Sequence, residues 1–334
     1  MDFPDKRLIE LVTLNPEPLN LRTLFKAYTV DRLNYIQVRN SQINYYKEVP
    51  LFYQMGTNSY GLYKPAGSSL TEMRISQQRH PLLYIQEKDR IVAIKELQKG
   101  FNKQIAESIT TGNAVSVKTS LCELVEETLE EPRSGTLKAL PETVASLITG
   151  YSQHPEILKS IALISFKDYT TVIHSVNVMA LTLGFCFHSN FRIQKTKRLG
   201  LSALLHDVGK TEIPATILKA PRKLADHEFI IMKTHPTIGN EIIRGKNKLG
   251  GDVALGALEH HEKLDGSGYP KGTRNISYVG QLLGIIDCYE ALTNEDRPYR
   301  RAREPLETLK FLKDDVQAGK FSRNIFEKFC YSLI

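Results

Sequence analysis

The sequence predicts an all-α helical bundle that is preceded by a smaller α/β domain containing strands. Three observations support this fold class. Up to about residue 97, short segments rich in Tyr, Val and Ile alternate with Gly, Asn, Ser and Pro, which is typical of strands. From about residue 90 onward, apolar residues recur every three or four positions, which is typical of helices. With 334 residues, the chain is long enough for two folding units.

The elements can be assigned in chain order. A first helix is expected at 19–28, and strands are expected at 34–38, 49–54, 59–63 and 82–86. A connecting helical segment runs from 90 to about 129, where an acidic stretch and then Pro132 and Gly135 end it. Further helices are predicted at 155–164, 168–187, 194–206, 226–235, 238–244, 253–261, 278–293 and 305–317.

This pattern divides the chain into three parts. Residues 1–97 are predicted to form the α/β domain, residues 98–150 a helical linker, and residues 151–334 the helical domain. The first part carries no phospho-acceptor aspartate motif and no glycine-rich nucleotide loop. Its position before the bundle favours a regulatory or dimerising role, and a passive structural role is the alternative.

Composition narrows the range of functions. The chain is 41% hydrophobic and has neither an apolar run long enough to cross a bilayer nor the start of a signal peptide, so we expect a cytoplasmic protein without membrane contact. The four cysteines lack CxxC spacing and are expected to be reduced thiols. The net charge of +7 is spread along the chain, which favours a small phosphate ligand over a nucleic acid polymer.

Histidine and aspartate residues recur at the ends and in the middle of the predicted helices. His174 lies in the apolar segment VIHSVNVMALTLG, where a single histidine is usually a hydrogen-bonded core residue. His206 and Asp207 close the apolar segment LSALLHDVGK, and an ionised aspartate there is costly to bury unless a metal or another cation compensates it. This pair therefore favours a metal site.

Three further segments continue the pattern with His235, the pair His260 and His261, and Asp287 in GQLLGIIDCYEAL. The successive intervals are 32, 28, 25 and 26 residues, which suits one set of ligands from each helix of an antiparallel bundle. Five of the nine histidines occupy these positions. Such spacing brings the side chains together in the interior of the bundle.

The ligand set favours two metal ions. Adjacent residues on a helix point about 100° apart, so His260 and His261 suit two neighbouring ions better than one. Asp207 can bridge, because its two oxygens can bind different ions. A shell of nitrogen and oxygen without thiolate favours Fe or Mn, with Zn, Ni and Co as alternatives. Two ions roughly 3.5–4 Å apart activate water as a metal-bound hydroxide nucleophile.

Five strings in this order resemble the HD-GYP subgroup of the HD-superfamily phosphohydrolases, which are bacterial cyclic-di-GMP phosphodiesterases. They are HSVNV, LLHDVGKTEIP, HPTIGNEII, HHEKLDGSGYPKG and DCYEALTNEDRPYR. The resemblance runs from about residue 155 to residue 334. It implies an HD-type helical domain with a binuclear iron centre.

The resemblance also implies roles for individual residues. The metal ligands would be His174, His206, Asp207, His235, His260, His261 and Asp287. Asp207 and Lys210 would be catalytic, and Lys210 would also approach a substrate phosphate. Gly266, Gly268 and Tyr269 correspond to the loop that gives the subgroup its name, and Gly268 and Tyr269 would contact the substrate. Arg297 and Arg300 would clamp guanine and phosphate.

The chain departs from the subgroup pattern in four places. Thr170 stands where members with a third metal carry glutamate, so two metals are expected. Glu290 replaces the usual second aspartate of the DxxDAL pattern, and Leu264 replaces a common tryptophan. One extra residue lies between Leu292 and Arg297, which affects the arginine clamp more than the metals.

The resulting functional hypothesis is a phosphodiesterase that hydrolyses cyclic-di-GMP to linear pGpG, to GMP, or to both. The main alternative is a weak or inactive member that acts as a cyclic-dinucleotide receptor or a protein-interaction module. A third interpretation keeps the metal chemistry and changes the substrate to another cyclic dinucleotide or a phosphomonoester. Protein partners in second-messenger signalling and a homodimer are further options.

Overall fold

The structure, a computed structural model, describes residues 35–57, 59–68, 70, 80–151, 154–164, 170–294 and 303–333. Over these residues a small sheet is followed by a helical bundle, which confirms the predicted fold class. The helix predicted at 19–28 lies outside the described residues.

Four antiparallel strands form the sheet in the order β1-β4-β2-β3. Their bounds are Tyr35–Gln37 (β1), Leu51–Gly56 (β2), Ser59–Lys64 (β3) and Leu83–Gln86 (β4), all within a few residues of the predictions. Leu83 and Ile85 alternate with less buried neighbours. The sheet therefore has one face against the hydrophobic core, as a period of two predicts.

Thirteen α-helices occur among the described residues. They are α1 (Arg90–Thr110), α2 (Ala114–Leu129), α3 (Leu140–Tyr151), α4 (Glu156–Leu163), α5 (Thr171–His188), α6 (Ile193–Leu205), α7 (Ala215–Leu218), α8 (Asp226–Met232), α9 (His235–Ile242), α10 (Gly251–Glu259), α11 (Tyr278–Thr293), α12 (Pro305–Gln317) and α13 (Arg323–Ser332). The bounds of α11 and α12 match the predicted ranges. Helices α3, α7 and α13 were not among the predicted helices.

The segment predicted as one connecting helix at 90–129 is two helices. Gly112 has a φ of 67°, a left-handed conformation that few other residues adopt readily. The side chain of Asn113 then caps α2 by accepting a hydrogen bond from the Ser116 amide at 3.0 Å. A glycine followed by a strong capping residue thus separates α1 from α2.

Helix α5 lies at the centre of the bundle and packs against α2, α4, α6 and α11. One hydrophobic core extends from the sheet through α1 and α2 to α13. By length and composition α5 is also apolar enough to cross a membrane, with a mean hydropathy of 1.3, but 67% of it is buried in the structure. Its apolar surface is accounted for by packing against its neighbours.

Candidate metal centre

The seven predicted metal ligands meet at the middle of the bundle. His174 projects from α5, whose first turn is capped by the Thr170 hydroxyl at 3.3 Å from the Ile173 amide. The remaining ligands come from the ends of α6 and α10, the start of α9 and the body of α11. They are His206, Asp207, His235, His260, His261 and Asp287. Helix α10 ends at Glu259, so the 100° step between successive helical residues no longer separates His260 from His261, and both side chains face the centre.

Asp207 lies between two groups of histidines. Its Oδ2 is 3.6 Å from His174 Nε2 and 3.5 Å from His206 Nε2, whereas its Oδ1 is 3.2 Å from His235 Nε2 and 3.7 Å from His260 Nε2. His261 completes the second group. The carboxylate is buried, and each of its oxygens faces one group, which is the arrangement of a bridging ligand.

Asp287 approaches the same two groups from α11. Its Oδ1 lies 2.9 Å from His174 Nε2 and 3.9 Å from His206 Nε2. Its Oδ2 lies 3.8 Å from His261 Nδ1. The sequence placed Asp287 in the ligand set, and the structure adds that its carboxylate faces both groups.

Backbone carbonyls determine which nitrogen of three histidines carries the hydrogen. The Nδ1 atoms of His206, His235 and His260 donate to the carbonyls of Ala203, Met232 and Ala257 at 2.7, 2.7 and 2.9 Å. A carbonyl can only accept, so each Nδ1 keeps its hydrogen and Nε2 is the nitrogen whose lone pair can face the centre.

These nitrogens lie close to other acceptors. The Nε2 atoms of His235 and His260 are 3.3 Å apart, and they lie 3.2 and 3.7 Å from Asp207 Oδ1. Asp207 Oδ1 is buried and accepts no hydrogen bond. Lone pairs at these separations repel each other unless a cation lies between them, so the donor set fits divalent metal ions with nitrogen and oxygen ligands.

Burial and charge shift the pKa values of the cluster. Burial lowers the pKa of His206 to about 4 and also lowers that of His235 and His261, so these rings are neutral at pH 7. Although burial opposes ionisation, the Lys210 ammonium holds the pKa of Asp207 well below its ordinary value. Ionised carboxylate and neutral imidazole are the forms that bind metals.

His174 differs from the other histidines because it has a carboxylate at each nitrogen. Glu290 Oε2 lies 2.5 Å from His174 Nδ1, opposite to Asp287. Burial would lower the pKa of His174, but Glu290 and Asp287 raise it to about 9. A carboxylate behind a histidine ligand orients the ring and strengthens its metal bond. Glu290 therefore supports His174, a role that the sequence did not assign to it.

Lys210 lies at the edge of the cluster, in the 3₁₀ turn Val208–Glu212 that follows Asp207. Its Nζ donates to Asp207 Oδ2, and its side chain is 21% exposed. It is thus a cation within reach of both solvent and the centre.

The loop after His261 packs against the second histidine group. The Tyr269 ring centroid is 4.6 Å from that of His261, and the Tyr269 amide donates to the His261 carbonyl at 3.2 Å. Gly268 has no room for a side chain, since a Cβ would lie 2.4 Å from the Lys263 amide nitrogen. Glu262 supports the loop by accepting from the amides of Lys271 at 2.7 Å and Thr273 at 3.1 Å.

Two predicted site residues, Arg297 and Arg300, lie outside the described residues. Conversely, Lys118, Asn177 and Glu262 contribute to the surroundings of the site although the sequence did not single them out. The sequence contains one indication of the role of Lys118, because this lysine lies among the apolar residues of α2, beside Val117 and Leu121. A charge on the buried face of a helix indicates a specific buried partner.

A family profile described as HD domain matches residues 149–325. Among curated proteins, the cyclic di-GMP phosphodiesterase PA4108 from Pseudomonas aeruginosa is 32% identical over 53% of this chain and 42% of its own length. A 3'3'-cGAMP-specific phosphodiesterase 1 from Vibrio cholerae is 31% identical over 48% and 37%. A cyclic di-GMP phosphodiesterase from Thermotoga maritima is 33% identical over 57% and 52%.

The matches thus span about half or less of the length of these relatives. Among solved structures, Bd1817, an HDG"Y"P protein from Bdellovibrio bacteriovorus, superposes with a TM-score of 0.60 at 20% identity. The superposition covers 88% of this chain and 98% of that protein. At this identity the likeness concerns the fold.

Proposed function

The chain belongs to the HD domain family, and from this premise we propose that it is a metal-dependent phosphodiesterase of the HD-GYP type that opens cyclic di-GMP. The observation that carries the proposal is the Asp207 carboxylate, with one oxygen toward His174 and His206 and the other toward His235 and His260. Relatives named as cyclic di-GMP phosphodiesterases support the choice of substrate.

Two divalent ions are proposed, with iron first and manganese second. One would be held by His174, His206, Asp207 and Asp287, and the other by Asp207, His235, His260 and His261. When bound, such a pair polarises a phosphoryl oxygen and lowers the pKa of water. His206, His235 and His261 are already neutral, and Asp207 and Asp287 are already ionised, which are the forms that accept these ions, whereas a metal ion at His174 Nε2 would displace a proton.

Lys210 is proposed to hold a phosphate at the edge of the centre. Its ammonium already pairs with Asp207 and is partly exposed, so it can turn one donor toward a phosphoryl oxygen without leaving the carboxylate. Hydrolysis adds one water across a P–O bond, and a cation at this position neutralises charge on the phosphate as the bond breaks.

The loop that carries Gly268 and Tyr269 is proposed to contact the substrate. Burial raises the pKa of the Tyr269 phenol, so its hydroxyl stays a hydrogen-bond donor at neutral pH. Its ring lies against His261 at an angle of 31° and is placed to limit where a nucleotide lies against the centre. Arg297 and Arg300 are proposed to complete the clamp on guanine and phosphate.

The remaining assignments are proposals for the chain as a whole. We propose a cytoplasmic enzyme whose products are pGpG, GMP or both, and which acts without membrane or nucleic acid polymer. The division into an N-terminal α/β domain (1–97), a helical linker (98–150) and a catalytic domain (151–334) stays a prediction. A regulatory role of the first part, protein partners and a homodimer belong to the same proposal.

The test is chromatography of cyclic di-GMP incubated with protein purified without oxygen and reconstituted with Fe(II) or Mn(II). A His206→Ala, Asp207→Ala double variant treated in the same way is the control. Linear product from the wild type alone supports the proposal. Saturable binding without product from fully metal-loaded protein would favour the receptor alternative.

The Vibrio cholerae relatives named as 3'3'-cGAMP-specific give a reason to test that dinucleotide as well. We propose to compare kcat/KM for cyclic di-GMP, 3'3'-cGAMP and a phosphomonoester, because this ratio measures discrimination between substrates. A higher kcat/KM for 3'3'-cGAMP would change the substrate and keep the metal chemistry.

A further inference from the structure

A buried hydrogen-bond chain runs from α2 to His174. Lys118 is 0% exposed, and its Nζ donates to Asn177 Oδ1 at 2.7 Å. Asn177 Nδ2 donates to Glu290 Oε1 at 2.7 Å, and the other oxygen of Glu290 lies 2.5 Å from His174 Nδ1. We infer that Lys118 and Asn177 are positioning residues that orient Glu290 and, through it, the metal-facing nitrogen of His174.

The chemistry of Lys118 sets the direction of every bond in this chain. An ammonium only donates, so the oxygen of the Asn177 amide must face Lys118 and its NH₂ group must face Glu290. Glu290 then accepts from Asn177 with one oxygen and from His174 Nδ1 with the other. Because the hydrogen on His174 Nδ1 is donated to Glu290, Nε2 is the nitrogen of this ring that faces the centre. Without the ammonium, Asn177 Oδ1 loses this donor, and within this chain only the bond to Glu290 Oε1 still fixes the amide.

Lys118 also bonds to backbone carbonyls at the end of α4, but these bonds do not account for its contact with Asn177. Its Nζ also donates to the Ile161 carbonyl at 2.8 Å and to the Ile164 carbonyl, both at the end of α4. Those two bonds help to end the helix, but the bond to Asn177 does not serve that purpose. Burying an ammonium is costly, so a buried lysine with this third partner indicates a specific requirement.

Lys118 lies outside the residues that match the HD domain family. The match begins at residue 149, whereas Lys118 lies on α2. The support of His174 therefore includes a helix that precedes the matched region. Residues 98–150, expected from the sequence to be a linker, thus contribute a group on which the geometry of the proposed metal centre depends.

The inference rests on the proposed metal centre and is tested by metal binding instead of turnover. Mn(II) binding to the full chain is followed by electron paramagnetic resonance, for the wild type, Lys118→Met and Asn177→Leu. Loss of a group behind a metal ligand typically weakens metal binding about 10- to 100-fold. Asn177 and Lys118 act on His174 through Glu290, so we expect a loss at the lower end of this range, about 10-fold, at one of two sites in both variants. Asn177→Leu leaves the bonds from Lys118 to Ile161 and Ile164 intact, so it decides the matter if Lys118→Met does not fold.

Lys64 offers a matched control. It is 2% exposed, and its Nζ donates to the carbonyls of Lys47, Pro65 and Ser68 at 3.1–3.2 Å, in the sheet. Lys64→Met removes an equally buried ammonium, and we expect lower stability with unchanged Mn(II) affinity. Two sites of wild-type affinity in Lys118→Met and Asn177→Leu would overturn this inference alone. No Mn(II) binding to the wild type would overturn the metal centre, and this inference with it.

Discussion

Glu290→Gln should lower the pKa of His174 in the metal-free protein. Glu290 Oε2 lies 2.5 Å from His174 Nδ1, and both side chains are buried. Burial opposes the charged imidazole, yet Glu290 and Asp287 raise its pKa from 6.5 to about 9. That difference corresponds to about 3 kcal/mol of preference for the protonated ring. A neutral amide at 290 removes the first of these two attractions.

The raised pKa makes the stability of the metal-free fold depend on pH with a definite sign. The unfolded ring loses its proton near 6.5, whereas the native ring keeps it up to about 9. The native state binds more protons in this window, so the free energy of unfolding falls as pH rises. The contribution is fully present below pH 6.5 and is lost as pH passes 9. Metal binding at Nε2 displaces the same proton.

Urea unfolding of chelator-treated protein at pH 6.5 and pH 9 measures this effect. Between pH 6.5 and pH 9, the free energy of unfolding of the wild type should fall by up to about 3 kcal/mol more than that of Glu290→Gln. Nuclear magnetic resonance of labelled histidines should show one ring titrating near 9 in the wild type only. Glu262→Gln is the control, because it alters a buried carboxylate that supports the loop without touching His174. Equal pH dependence in the wild type and Glu290→Gln would refute the assigned role of Glu290.

Three further substitutions probe other parts of the site. Asp207→Asn should reduce binding at both metal sites and lower turnover at least ~10³-fold, which corresponds to about 4 kcal/mol of transition-state stabilisation. Metal analysis and product chromatography measure the two effects. Loss of only one metal would contradict a bridging role. Lys210→Met should lower kcat/KM for the diester about 10- to 100-fold, the equivalent of one charge-assisted hydrogen bond, with both metals retained. Gly268→Ala should destabilise the fold by about 1–3 kcal/mol in thermal unfolding, because a Cβ meets backbone atoms at 2.4–2.5 Å. Gly184→Ala, in open space on α5, should be stabilising by about 0.5–1 kcal/mol and is its control.

The fold class and the convergence of the seven ligands could be predicted because both depend on local periodicity. A histidine or aspartate recurs every 25 to 32 residues along the helical part of the sequence, and a bundle of antiparallel helices brings such positions together. Gly112 and Asn113 also mark the break between α1 and α2 in the sequence. The helical spacing of apolar residues on both sides of this pair favoured a single helix instead.

The support around His174 could not be predicted in this way. Its members are joined by contacts between residues 116, 113 and 59 positions apart, which no local pattern encodes. Glu290 was noticed only as a departure from the subgroup pattern, and Asn177 looked like one polar residue in an apolar helix. Which carboxylate faces which nitrogen depends on how α5 and α11 pack, and packing follows from the whole core.

The arrangement of Asp287 and Glu290 bears on whether the glutamate at 290 impairs the site. These residues are three positions apart on α11, so they share one face of the helix. Asp287 reaches His174 Nε2 at 2.9 Å, and Glu290 reaches Nδ1 of the same ring at 2.5 Å. One helix therefore approaches both nitrogens of a single imidazole, with Asp287 at Nε2 and Glu290 at Nδ1. The substitution at 290 thus keeps a carboxylate behind His174, and a receptor without activity would need a different cause.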